Sequence, residues 1–392
     1  MREIELSSMI SAGALGLDSF EERTFIHVRH RPLDWESGWN QILQIALYQK
    51  GPDVSEVGST WLENLDSMRA IRPFSLQESL SLGEKDCLPT VWSSFDQVSA
   101  RERISIPWTL DTRLVHYRRD LLALAGIAED GAFATPEAFY DTLARLRAAG
   151  FAYPFVMATG GLSVHNLACW VWGRGGHFRS ADNHKLTLVE PQSLQGMVDY
   201  FNLHQFIDPQ TCSFDYAQAD NWFLAGHAPV LFSGQWVTRL ADYGHFLPKP
   251  EVAENLWHAE PPGIPYVGST HLVIWKHSLH EAEALELIRH LTGSQVSPSI
   301  LISQGVYPPR AALLNAPPFD ADPRSQVIIN CLRKGRNFRA KRLWAGVEMR
   351  LTDLVDKLWV DIFTHPELDI AAEVKRRVTE LADRLERTLL AN

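Results

Sequence analysis

Cysteine is scarce in this chain. Cys87, Cys169, Cys212 and Cys331 are scattered over 392 residues with no C-x-x-C spacing, which excludes a zinc knuckle and a thioredoxin-type motif. All four are expected to be free, buried thiols. Long apolar runs are missing as well: no stretch reaches the roughly 20 residues that a membrane-spanning helix needs. The opening Met1-Arg2-Glu3-Ile4-Glu5-Leu6-Ser7-Ser8-Met9 has no apolar core of signal-peptide length and passes straight into strand-like alternation. A cytoplasmic location is therefore expected if these residues are the complete product, the alternative being a leader removed beforehand.

Positive charge is in deficit, with 37 Lys and Arg against 47 Asp and Glu and a formal net charge of -10. Phosphate neutralisation needs clustered cations, so a nucleic-acid partner is excluded. The local cluster Arg333-Lys334-Gly335-Arg336, with Arg339, Lys341 and Arg342, reads as a solvated loop, an anion site being the sharper alternative. Repeats and low-complexity tracts are lacking, as are a G-x-S-x-G elbow and a P-loop. Gly173-Arg174-Gly175-Gly176 lacks the strand-to-helix context of a dinucleotide fingerprint. His177, His184 and His271 have neither H-x-x-x-H nor carboxylate-supported spacing. No metal and no cofactor are expected.

What is present is a well-filled α/β chain. Its length exceeds one ordinary core, and its 45% hydrophobic content supports two. Ile4 and Leu6, a helical piece from Leu15 to Glu22 and the run Thr24 to His30 form a β-α-β opening. A helix is predicted from Trp35 to Lys50, stopped by Gly51-Pro52, then a strand over Asp53 to Val57. Gly58-Ser59-Thr60-Trp61 follows at once, where Ser or Thr can cap a helix or bond a ligand, because open α/β sheets bind ligands at the carboxyl ends of their strands. Thr135-Pro136-Glu137 has the N-cap, N1 and first-turn residues of a helix start. Prolines at 248, 250, 261, 262 and 265 exclude a long helix between His245 and Val267 and suggest a crossover. Gly268-Ser269-Thr270-His271 is expected to lead into a strand over Leu272 to Ile274. Leu279 to Leu291, Gln295 to Ser303, Trp344 to Leu358 and Ile370 to Leu390 read as helices, the last two packed onto the preceding domain.

The chain is organised around Ile106 to Asp120. A proline, a tryptophan and the charges of Asp111 and Arg113 stand where one element is expected to end and a strand to begin, with helical composition from Arg118. Such junctions commonly hold function, although an interdomain strand with a buried tryptophan fits the same letters.

Gly51-Pro52-Asp53-Val54, Gly58 to Trp61, Ile106-Pro107-Trp108, Asp111-Thr112-Arg113, Tyr117 to Asp120, Phe223-Leu224-Ala225-Gly226, Gly234-Gln235-Trp236 and Gly268-Ser269 follow one another along most of the chain. In that order and spacing they resemble the family 1 extracellular solute-binding proteins, the carbohydrate-binding receptors of ABC importers. The resemblance implies a two-lobe periplasmic-binding-protein-like fold of type II kind, with solute held in the cleft between lobes joined by hinge segments. Lobe 1 would take residues 1–110 and 268–312, lobe 2 residues 111–267 and 313–392. It also implies a monomer that presents its solute to the membrane subunits of an importer, and no enzyme activity. The signal sequence or lipobox usual in the family is not seen.

A sugar shows hydroxyls around a face of C–H groups, so its site needs flat aromatic surfaces with charged or amide groups beside them. The chain has 13 tryptophans. The candidate platforms are Trp61, Trp108, Trp172, Trp236 and Trp344, with Asp111, Arg113, Gln235, His271 and Arg310 as polar partners. Trp35 with Glu36, Ser59, Thr60 and Ser269 complete the candidate ligand-binding set. Two other readings stay open: a cytoplasmic sensor using the same cleft, and a glycoside hydrolase with Glu36 and Asp111 as its carboxylate pair.

Overall fold

The computed structural model describes residues 2–35, 37–92, 102–161, 163–180, 185–238, 247–338 and 344–390. Among them, strands and helices alternate. The strands are β1 (Arg2–Ser8), β2 (Ile26–Pro32), β3 (Val54–Gly58), β4 (Ile71–Arg72), β5 (Phe74–Ser75), β6 (Glu102–Arg103), β7 (Ile106–Arg118), β8 (Phe155–Met157), β9 (Val230–Gly234), β10 (Leu256–Ala259) and β11 (Val267–Trp275). The chain divides into two compact units. Unit 1 comprises Met1–Asp111, Val267–Ser325 and Asn337–Ala345; unit 2 comprises Thr112–Tyr266, Gln326–Arg336 and Gly346–Asn392.

In unit 1, β1 runs parallel to β2 and β3, and β11 lies antiparallel to β3. Parallel neighbours need crossovers, and the helices Leu17–Thr24 and Gly38–Tyr48 supply them. The second helix starts later than Trp35, and it ends where Gln49 turns left-handed just before Gly51. Strand alternation sends Ile4 and Leu6 of β1 into a core with Val28, Phe20, Leu272, Ile274 and Leu287. Each such side chain contributes about 1.5–3 kcal/mol by its burial.

Trp108 belongs to that core, which corrects its assignment to a ligand-facing turn. It is 1% exposed, and its indole Nε1 donates to the Leu291 carbonyl at 3.3 Å. The expected junction between elements at Trp108 to Arg113 is absent too, because Ile106 to Arg118 form one unbroken strand. Its near-continuous burial is what a strand covered on both faces requires. Likewise Gly268-Ser269-Thr270-His271 lie inside β11 rather than in a turn before it. Gly268 is admitted there because a Cβ at that position would overlap the Asp111 carboxylate.

In unit 2, β9 pairs antiparallel with β7 and parallel with β8, and β10 pairs antiparallel with β7. The helix Pro136–Ala148 begins as the sequence predicts, with the Thr135 hydroxyl accepting from the Ala138 amide. The region from His245 to Val267 holds the short helix Pro250–Asn255, with Pro250 in its first turn, and the strand β10. Residues 239–246 lie outside the described residues. The helices Val164–Gly173 and Pro191–Asn202 pack together, and Ile370–Leu390 lies against the latter. All four cysteines are free, but only Cys169 and Cys331 are buried; Cys87 and Cys212 are partly exposed.

Candidate functional site

The side chains of unit 2 with the chemistry of a solute site gather around Arg113. Register places Arg113 opposite Gly234, two residues before Trp236. The helix Tyr216–Leu224 is fixed at its start by a capping box: Asp215 Oδ1 accepts from the Gln218 amide at 2.8 Å, and Gln218 Oε1 accepts from the Asp215 amide at 3.0 Å. That start puts Tyr216 and Asp220 one turn apart on the same face, and both meet Trp236. The Trp236 Nε1 donates to Asp220 Oδ2 at 2.9 Å, and the Tyr216 ring lies 5.6 Å from the indole at 78°. Gly234 is needed beneath, since a Cβ there would occupy the space of the Trp236 ring.

The Arg113 guanidinium carbon lies 5.0 Å from the centroids of Tyr216 and Trp236 and 5.3 Å from that of Tyr266. Its Nε donates to the Tyr216 hydroxyl at 3.1 Å, and its Nη2 lies 3.3 Å from His165 Nδ1. A guanidinium only donates, so His165 Nδ1 accepts; its Nε2 then carries the proton given to Glu348 Oε1 at 2.8 Å. Tyr266 stacks on His165 at 4.5 Å and on Trp172 at 6.3 Å, with planes 11° and 12° apart, and the Arg336 guanidinium covers Trp172 at 4.6 Å. The result is a wall of rings with guanidinium groups packed against them, the two kinds of surface that a polyhydroxylated ring can use. Gln235 is buried beside it and spends its Oε1 on the Thr112 amide at 2.6 Å, a structural task.

In unit 1 a second aromatic group stands past the carboxyl end of β3. Trp61 has ring neighbours Trp39 at 5.5 Å and Trp35 at 5.8 Å, and Trp35 is 43% exposed. Ser59 and Thr60 are buried and neither caps the following helix; the Ser59 hydroxyl instead accepts from Asn337 Nδ2 at 3.0 Å. Glu56, one strand residue before Val57, is buried and accepts from the Met9 amide at 2.8 Å. Burial pushes its carboxyl up to about 7, against the pull of that amide and of Thr270. Glu36 lies outside the described residues.

A family model described as bacterial extracellular solute-binding protein matches residues 9–297. The chain belongs to this family. Solved solute-binding proteins share its fold. One from Thermotoga lettingae, bound with alpha-D-tagatose, has a TM-score of 0.81 at 16% identity, over 97% of this chain and 100% of that one. The maltose-bound MalE3 of T. maritima gives 0.81 at 19% identity, over 97% and 99%. One from Agrobacterium vitis S4, with bound D-mannitol, gives 0.78 at 13% identity, over 99% of each chain. At these identities the likeness shows the two-lobe fold alone. No curated protein matches the sequence.

Within this solute-binding protein several candidates stand elsewhere. His271 is fully buried in β11, with Ser105 Oγ at 2.9 Å from Nδ1 and Ser269 Oγ at 3.2 Å from Nε2; burial lowers its pKa to about 3. Arg310 pairs with Asp86 at 3.3 Å and, with Trp108 and Cys87, lines a small cavity of unit 1. Trp344 is buried against Phe338, 5.1 Å between centroids. Sequence reasoning missed Tyr216, Tyr266, His165, Asp220, Arg336 and Glu348. Only Tyr216 and Asp220 left a local trace, their spacing behind the Asp215 cap. Among the described residues no group of His, Cys, Asp and Glu could hold a metal ion, and no helix is long and apolar enough to cross a membrane.

Proposed function

We propose that this solute-binding protein takes a small carbohydrate or polyol, using the Arg113–Tyr216–Trp236 wall of unit 2 as its aromatic surface. The observation that carries this is the Trp236 ring: partly exposed, yet fixed by Gly234, Asp220 and Tyr216. A ring held in one orientation binds a C–H face with little further ordering cost. The bound tagatose, maltose and mannitol of the similar structures share that chemistry.

The finer reading is that solute bound to one unit gains contacts from the other, and only that differential contact shifts the population toward a closed form. The closed form is then presented to the membrane subunits of an ABC importer, which puts the working protein outside the cytoplasmic membrane. Binding occurs without turnover. The test is titration calorimetry with maltose, alpha-D-tagatose and D-mannitol, on the parent protein and Trp236→Ala. A micromolar solute corresponds to about 8 kcal/mol; loss of one platform contact removes roughly 1–3 kcal/mol, some ten- to hundredfold in affinity. Equal affinity in the variant overturns the assignment of Trp236, and release of glucose from maltose overturns binding without turnover.

A further inference from the structure

The ring that carries the proposed solute contact is itself held by a buried acid. Asp220 is 1% exposed, and its Oδ2 accepts the only polar hydrogen of the Trp236 indole at 2.9 Å. With Gly234 beneath the ring and Tyr216 at its edge, this bond fixes the indole's rotation. We infer that Asp220 is a positioning residue whose protonation state sets the solute affinity of Trp236, the carboxylate holding the indole firmly and the neutral acid holding it loosely. The inference rests on the reading of Trp236 as a solute platform.

The groups that face Asp220 can be named. Arg113 comes from β7, Ser233 from β9, Trp236 from the turn after it, and Asp215 from the start of Asp220's own helix. Strand β8, which also packs on that helix, contributes Phe155, Val156 and Met157, none ionisable. Burial pushes the Asp220 carboxyl up to about 7; Ser233, Trp236 and Arg113 pull it down and Asp215 pushes it up. Proton exchange therefore falls in a range that a binding protein meets. A hydrogen bond to an ionised acceptor is roughly twice as strong as one between neutral groups. Raising the pH through that range tightens the bond to Trp236 and pre-orders the platform.

The experiment uses the full chain and has two independent readouts. In the first, without any sugar, the indole 15N–1H resonance of Trp236 is identified by its loss in Trp236→Phe and followed from pH 5.5 to 8.5. It is expected to titrate near pH 7 in the parent protein and to stay fixed in Asp220→Asn, whose amide oxygen still accepts. In the second, calorimetry with maltose, alpha-D-tagatose and D-mannitol is expected to give affinity about five- to tenfold tighter at pH 8 than at pH 5.5, and no pH dependence in Asp220→Asn. A parent indole that does not titrate overturns the inference whatever the sugars do. A titrating indole with pH-independent sugar affinity overturns it as well. A titrating indole with none of the three sugars bound overturns the solute reading of Trp236 and the affinity claim with it, while establishing the link between Asp220 and the ring.

Discussion

Arg113 meets Trp236 with its guanidinium carbon 5.0 Å from the centre of the indole, and the same cation donates from Nε to Tyr216. A buried charge is costly unless its partners replace water. Here rings supply part of that replacement and hydrogen-bond acceptors the rest. The aromatic wall of unit 2 is thus assembled around a cation, and the cation fixes the distances between the rings.

Arg113→Lys tests that role. An ammonium is a compact point charge and cannot lie flat between Tyr216, Trp236 and Tyr266 while also reaching His165. The variant is expected to lose about 1–3 kcal/mol of stability, read by urea unfolding, and to weaken sugar binding by about tenfold. Unchanged values in both measurements would show that the rings order themselves without it.

Gly234→Ala places a methyl group where the Trp236 ring lies. The strand backbone is locked into β9, so the indole has to move. Sugar affinity in this variant is expected to fall as far as in Trp236→Ala, and the double variant to fall no further. Residues acting through one ring are non-additive. Additive losses in the calorimetric cycle would separate Gly234 from Trp236.

The order of strands and helices is legible because period-two and period-3.6 patterns, caps and proline breaks are local signals. Thr135-Pro136 opens its helix where the letters say, and the helix before Gly51-Pro52 ends just short of them, at Gln49. The site is less legible, since Arg113, His165, Trp172, Tyr216, Trp236, Tyr266, Arg336 and Glu348 come from separate segments and converge only on folding. Trp108 is a different case. Alternation along β7 puts it on the face of Ile106 and Leu110, and Asp111 and Arg113 on the other. That parity was readable, and it argued for the core against a place in a turn. His271 looks like a ligand partner by its letters, whereas β11 buries it between two serine hydroxyls.

Trp108→Ala and Trp236→Ala should therefore behave oppositely. Removal of a fully enclosed tryptophan leaves a cavity and costs about 3–5 kcal/mol. The partly exposed Trp236 loses less packing and is expected to cost stability well under half of that. Urea unfolding gives both numbers, and a Trp108→Ala protein of near-parental stability would remove Trp108 from the core.

The last prediction concerns pH and two buried groups of unit 1 that pull in opposite directions. Burial raises the Glu56 carboxyl from its ordinary 4.5 to about 7, so the folded chain keeps a proton that the unfolded chain releases. Its contribution is fully present below about pH 4.5 and is lost as the pH rises through about 7. His271 is lowered from 6.5 to about 3, so its contribution is present above pH 6.5 and is lost as the pH falls toward 3. Between pH 4.5 and 6.5 the two slopes oppose each other and the parent protein's stability is flattened. Glu56→Gln removes only the first slope. Relative to the parent protein, its stability should rise with pH from about 4.5 to 7 and level off above, measured by urea unfolding at pH 5, 6, 7 and 8. A difference that stays constant over that range would mean that Glu56 is ionised throughout in the folded protein, held by the Met9 amide and Thr270 more strongly than burial opposes it.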